Sequence, residues 1–191
     1  MKKKTKYKLE SILKPIAPNV DPNLITILSV LITALAAYLI FKNYLFIGAL
    51  VFVIGALFDA LDGVAARKYK RATDFGAFLD RCADRINDAL VLMAVILTGQ
   101  VQLLLGLATL VAVIFASYTS ATIEVIAKNR VGETMSLRPL RSVIIFLSLV
   151  LASADVTYLE SMMVVLFAIS SFSILERFKK ASKILKGRKS R

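Results

Sequence analysis

The sequence predicts an all-α integral membrane protein, with six transmembrane helices preceded by a short amphipathic helix at the membrane surface. Three observations lead there. The 191 residues are 58% hydrophobic with a mean hydropathy of +0.72, more apolar sequence than a soluble core of this length needs. Several apolar runs approach the roughly 20 residues that a helix needs to cross a bilayer. Lys and Arg fall in alternate connections between those runs, so the charge pattern itself counts the crossings.

Met1-Lys2-Lys3-Lys4 is not followed promptly by an apolar stretch with a small-residue cleavage site, and no cleaved signal peptide is expected. Thr5 to Leu13 mixes lysine with apolar residues, and Tyr7, Leu9, Ile12 and Leu13 can share one helical face. That suits a helix lying on the membrane. Pro15, Pro18 and Pro22 then interrupt the chain. Six spans follow, at Leu24–Phe41, Leu45–Leu61, Phe78–Leu97, Leu103–Ile126, Val143–Ala152 and Tyr158–Leu175. The fifth is short and extends back toward Leu137, while Gly99-Gln100 and Ala154-Asp155 supply tight turns. The chain thus reads as one membrane domain over 1–191. Residues 1–22 are juxtamembrane, 24–175 form the six-helix bundle and 176–191 are a basic cytoplasmic tail.

The N-terminal segment holds six Lys, the connections after spans two and four hold four basic residues each, and the tail holds eight. The three opposite loops hold one, Lys42. By the positive-inside rule this places both termini in the cytoplasm and makes the number of crossings even, as in a multi-pass protein of the cell membrane. The net charge of +12 lies beside apolar spans, where it contacts anionic headgroups, so no nucleic-acid partner is expected. Cys82 is the single cysteine, which excludes an internal disulfide, and it reads as a small packing residue. There is no histidine, so a general base must come from another residue type, and the carboxylates draw interest.

Acids inside apolar spans are costly, and their placement is informative. Asp59 and Asp62 close the second span three residues apart on one helical face; Asp80 and Asp84 open the third, four apart and again on one face, with Asp88 a turn further. Two antiparallel helices joined by Arg67–Asp74 would bring these faces together. Four converging carboxylates stay charged only if cations neutralise them, and oxygen ligands without His or Cys select Mg²⁺, Mn²⁺ or Ca²⁺ over zinc. The plainer reading pairs Arg67, Arg81 and Arg85 with the acids, although Arg81 and Arg85 lie about 100° around the helix from Asp80 and Asp84. Gly63, Ala65, Ala66 and Gly76 add small side chains that allow a helix or ligand to approach closely.

Together these residues resemble the signature of the CDP-alcohol phosphotransferase family: Asp59-x₂-Asp62-Gly63-x₂-Ala66-Arg67-x₈-Gly76-x₃-Asp80-x₃-Asp84, with all eight fixed positions matched. The run Pro22-Asn23-Leu24-Ile25-Thr26 at the start of span one and the six-span layout are also similar to the family. The resemblance implies a two-metal site for Mg²⁺ or Mn²⁺ on Asp59, Asp62, Asp80 and Asp84. It implies that Asp59, Asp62, Gly63, Ala66, Arg67 and Gly76 bind the nucleotide of a CDP-linked lipid, with Arg67 near its phosphates. Asp84 becomes the general base that accepts the acceptor's hydroxyl proton, CMP leaves, and the protein works as a homodimer. Asp88 lies outside the pattern and reads as a packing contact.

Lys128, Arg130, Arg138 and Arg141 form a second basic group on the side of the acids. The plain reading is orientation charge and headgroup contact. The sharper one is a pocket for a phosphorylated alcohol held by Lys128, Arg138 and Arg141, because arginine grips phosphate bidentately. Ser117-Tyr118-Thr119 and Leu137-Arg138-Pro139-Leu140-Arg141 are similar to the inositol-phosphate-using branch, the phosphatidylinositol and archaetidylinositol phosphate synthases. This chain departs from it at Ser120 and Thr122, where that branch carries arginines. The resemblance implies inositol 1-phosphate as acceptor, with glycerol 3-phosphate the alternative. From another class, a small cation transporter would also place acids in the membrane. It would spread them through the bilayer depth, whereas these cluster at helix ends.

Overall fold

The computed structural model describes residues 13–127 and 138–186. Across them the regular structure is helical: α1 (Pro22–Phe41), α2 (Leu45–Lys68), α3 (Asp74–Leu97), α4 (Leu103–Ala127), α5 (Arg138–Ala152) and α6 (Thr157–Lys186). Each predicted span coincides with one helix. The ends differ, because a helix continues while its backbone hydrogen bonds do, whether or not its side chains stay apolar. So α2 runs beyond Leu61, α3 starts at Asp74 before Phe78, and α6 continues past Leu175 through much of the predicted tail. Most of the predicted surface helix at Thr5–Leu13 lies outside the described residues, as do Lys128 and Arg130.

Among the described residues, four helices are long and apolar enough to cross a membrane: α1, α2, Leu103–Ile123 of α4 and Thr157–Lys183 of α6. The other two fall short for separate reasons. Charged Asp80, Arg81, Asp84, Arg85 and Asp88 interrupt α3, and α5 has 15 residues. The bundle exterior is apolar, with Leu31, Leu35, Ile54, Leu104, Val111 and Phe172 all exposed, a surface suited to lipid.

Among lipid tails, burying leucine gains little, and helices associate through close packing and interhelical hydrogen bonds. The sequence supplies both. A Cβ on Gly55 of α2 would lie 2.6 Å from Thr33 Oγ1 of α1, and one on Gly48 would lie 2.7 Å from Ile40 Cγ1. Thr109 Oγ of α4 donates to its own turn at Leu105 and lies 3.2 Å from the Met163 carbonyl of α6. Helix α1 packs on both α2 and α3, α4 packs on α3 and α6, and α5 packs on α2 and α6. Ile40, Ala49, Val91, Leu92, Val95, Leu149, Met163 and Leu166 make the buried centre.

The ends that position the site are capped. Asp21 accepts from the Asn23 amide at 2.9 Å with Pro22 in the first turn of α1, a favoured way to begin a helix. Lys70 reverses the chain after α2 at φ 55, and Thr73 Oγ accepts from the Gly76 amide at 3.0 Å to start α3. Lys68 Nζ and Tyr69 Oη both donate to the Ala17 carbonyl, tying the segment before α1 to the α2–α3 turn.

Candidate active site

Helices α2 and α3 are neighbours in sequence joined by Tyr69–Thr73, so the acids closing one meet the acids opening the next. Asp59, Asp80 and Asp84, all half-buried, each present a carboxylate oxygen, and these oxygens lie within 4.8 Å of one another. Three like charges at that separation repel strongly. An all-oxygen donor set of this kind fits a hard divalent cation such as Mg²⁺ or Mn²⁺.

Asp62 stands beside that trio. It is buried at 5% exposure, and Thr26 Oγ of α1 donates to its Oδ2 at 2.5 Å. Thr26 Oγ also lies 3.0 Å from the Pro22 carbonyl, so α1 holds the fourth acid from the side. Asp80 and Asp59 act on it electrostatically.

Beside the trio lies a cavity of about 180 Å³, lined by Asp62, Gly63, Ala66, Arg67, Gly76 and Asp80, together with Asn23, Thr26 and Arg71. Its glycines leave little room for a larger side chain. A Cβ on Gly63 would meet Arg67 Nη1 at 3.3 Å, and one on Gly76 would lie 3.1 Å from Thr73 Oγ1 and 3.2 Å from Asn23 Oδ1. Arginine on a wall of small residues suits a phosphate that must come close to backbone.

On the Asp84 side lies a second cavity of about 100 Å³, lined by Asp84, Arg85 and Asp88 of α3, Ser117 and Ser120 of α4, Arg141 of α5, and Ser170, Ser173 and Arg177 of α6. Arg141 and Arg177 are 8% and 6% exposed. Arg141 Nη2 lies 3.0 Å from Asp88 Oδ2, and Nη1 donates to the Val113 carbonyl at 3.3 Å. Arg177 Nη1 donates to the Ala116 carbonyl. The carboxylate trio therefore stands between two cavities, with Asp80 on the wall of one and Asp84 on the wall of the other.

The structure brings together Asp59, Asp80 and Asp84, and sets Asp62, Gly63, Ala66, Arg67 and Gly76 around the first cavity. In line with the plainer ion-pair reading, Arg85 Nη1 lies 3.8 Å from Asp84 Oδ2. Of the three cations expected to hold an acceptor phosphate, Arg141 reaches the second cavity. Lys128 lies outside the described residues, and Arg138 opens α5 with its side chain likewise outside them. Asp88, read as a packing contact, is an ion-pair partner facing that cavity. Arg177 was counted as tail charge, yet Ser170, Ser173 and Arg177 recur at the three-to-four spacing of one helix face, a signal present in the sequence. Ser120 lines the cavity, whereas Thr122 turns back to donate to the Tyr118 carbonyl at 2.9 Å.

Known proteins resemble this chain in sequence and in fold. The family model described as CDP-alcohol phosphatidyltransferase matches residues 19–174. The chain is 34% identical over 146 residues to archaetidylinositol phosphate synthase of Pyrococcus horikoshii, covering 76% of this chain and 78% of that protein. The phosphatidylinositol phosphate synthase of Mycobacterium tuberculosis with CDP-DAG bound superposes with a TM-score of 0.79 at 28% identity, covering 90% of this chain and 94% of that one. Its complex with manganese and citrate gives a TM-score of 0.77 at 27% identity, with 88% of each chain covered.

Proposed function

The chain belongs to the CDP-alcohol phosphatidyltransferase family, and on that premise we propose that it transfers a phosphatidyl or archaetidyl group from a CDP-linked lipid to inositol 1-phosphate with release of CMP. It is a membrane transferase of phospholipid biosynthesis rather than a cation transporter. The observation that carries the reading is the placement of the carboxylates between two cavities, one flanked by Arg67 and one by Arg141 and Arg177.

Asp59, Asp62, Asp80 and Asp84 would hold two ions, Mg²⁺ or Mn²⁺. Such ions neutralise the charge that develops on a diphosphate as its nucleotide leaves. Gly63, Ala66 and Gly76 leave room for the donor's nucleotide, and Arg67 orients its phosphates. Asp84 belongs to the trio and also lines the second cavity, so its carboxylate is placed to accept the acceptor's hydroxyl proton as that oxygen attacks. Direct attack inverts the configuration at phosphorus. Arg141 and Arg177 hold the acceptor's own phosphate, and the serines of α4 and α6 offer hydroxyl partners to a polyol.

In this reading all six helices of one membrane domain cross the membrane, and both termini and the site face the cytoplasm. The protein is a homodimer, the donor's tails remain in the bilayer, and the nucleotide stays in water. Purified protein given CDP-linked diacyl or ether lipid, Mn²⁺ or Mg²⁺ and a panel of alcohols tests it by CMP release. Inositol 1-phosphate should outrun free inositol and serine. Faster release with glycerol 3-phosphate would reassign the acceptor, and release with no phosphorylated alcohol would overturn the proposal.

A further inference from the structure

Asp88 stands one helical turn beyond Asp84 on the same face of α3, about 6 Å along the axis. Its Oδ2 is 3.0 Å from Nη2 of Arg141, and the two side chains are 14% and 9% exposed. Arg141 reaches this point from α5, and its Nη1 donates to the Val113 carbonyl of α4 at 3.3 Å. Nη2 also lies 3.5 Å from Ser117 Oγ. Its Nε–H has no hydrogen-bond partner among the described residues. The guanidinium is thus fixed along its Nη edge while the same residue lines the second cavity with Asp84 and Asp88.

A guanidinium so enclosed keeps its charge at acceptable cost when a carboxylate sits beside it. Serine or water would not supply that compensation. Asp88 therefore decides both that a cation can be buried here and where its fork sits. Because Asp84 and Asp88 share one rigid turn, a phosphate gripped by Arg141 stands at a set distance from the carboxylate that takes the hydroxyl proton.

We propose that Asp88 is a positioning residue that acts through Arg141 to set the register of the acceptor's phosphate against Asp84. The inference rests on the phosphorylated-acceptor reading above. Neither the eight-position motif nor the basic residues singled out in the sequence contain Asp88.

The test is steady-state kinetics on the full-length protein in detergent or vesicles, varying donor and acceptor separately. Asp88→Asn is expected to raise the acceptor KM about tenfold, leaving the donor KM within twofold. On an Arg141→Gln background the same change should add nothing, since the pathway is already broken. Equal shifts in both KM values, or full additivity with Arg141→Gln, would overturn the inference. Should Asp88→Asn fail to fold, Asp88→Glu serves: it keeps the ion pair but displaces the guanidinium by one methylene. Its acceptor KM should rise several-fold at unchanged Tm, and an unchanged acceptor KM would overturn the inference. A wild-type protein that accepts no phosphorylated alcohol instead defeats the acceptor reading itself.

Discussion

The two cavities beside the carboxylate trio are built in opposite ways. The first comes from two consecutive helices, the end of α2 and the start of α3, with the first turn of α1 against both. The second draws its lining from four helices, α3, α4, α5 and α6, spread from Asp84 to Arg177. The first is lined by glycine and alanine with arginine at its edge. The second is lined by charges with fixed partners: Arg141 pairs with Asp88, and Arg177 donates to a backbone carbonyl. A nucleotide common to all substrates of such enzymes can be met by a locally encoded wall. A variable acceptor is met by positions that can change one helix at a time.

That contrast orders the expected effects of mutation. Asp80→Asn or Asp84→Asn strikes the trio the cavities share, and kcat measured by CMP release should fall about 10²- to 10⁴-fold, the range for a lost acid–base group. Comparable loss with every acceptor would mark the shared centre. Arg177→Gln touches the second cavity alone. It should raise the acceptor KM about tenfold to a hundredfold, the equivalent of a charged hydrogen bond at about 1.5–3 kcal/mol, without moving the donor KM. A matching rise in the donor KM would erase the distinction between cavities.

Gly76→Ala touches the first cavity. Its Cβ would press on Thr73 and Asn23 at 3.1–3.2 Å. Crowding of about 1 kcal/mol should raise the donor KM about fivefold, with the acceptor KM steady. Thr73→Ala removes the cap to the Gly76 amide and should cost about 1 kcal/mol, seen as a small fall in Tm.

Legibility from sequence followed the same divide. The helices were readable because apolar runs and alternating basic connections are local properties. Their ends were not, since α2, α3 and α6 continue through polar turns where hydropathy has already fallen. The first cavity was readable because most of its residues sit at fixed offsets across the end of α2 and the start of α3. Thr26 was noted merely as part of a run, because its hold on Asp62 spans 36 residues of sequence. The second cavity was read in part, through Asp84, Ser117 and Arg141. Arg177 looked like orientation charge beside its basic neighbours, and Asp88 looked like packing, since nothing in the spacing pairs it with α5. Contacts between distant helices are fixed by packing angle, which spacing along one chain does not encode.

The claim on which the rest depends is that Asp59, Asp80 and Asp84 are held together by divalent cations. Mn²⁺ titration of the purified protein, followed by electron paramagnetic resonance, tests it without reference to substrate. Wild-type protein should bind Mn²⁺ with saturation, and a variant with all three changed to Asn should not. Equal binding by both, or no binding by a preparation that still releases CMP, would contradict the account.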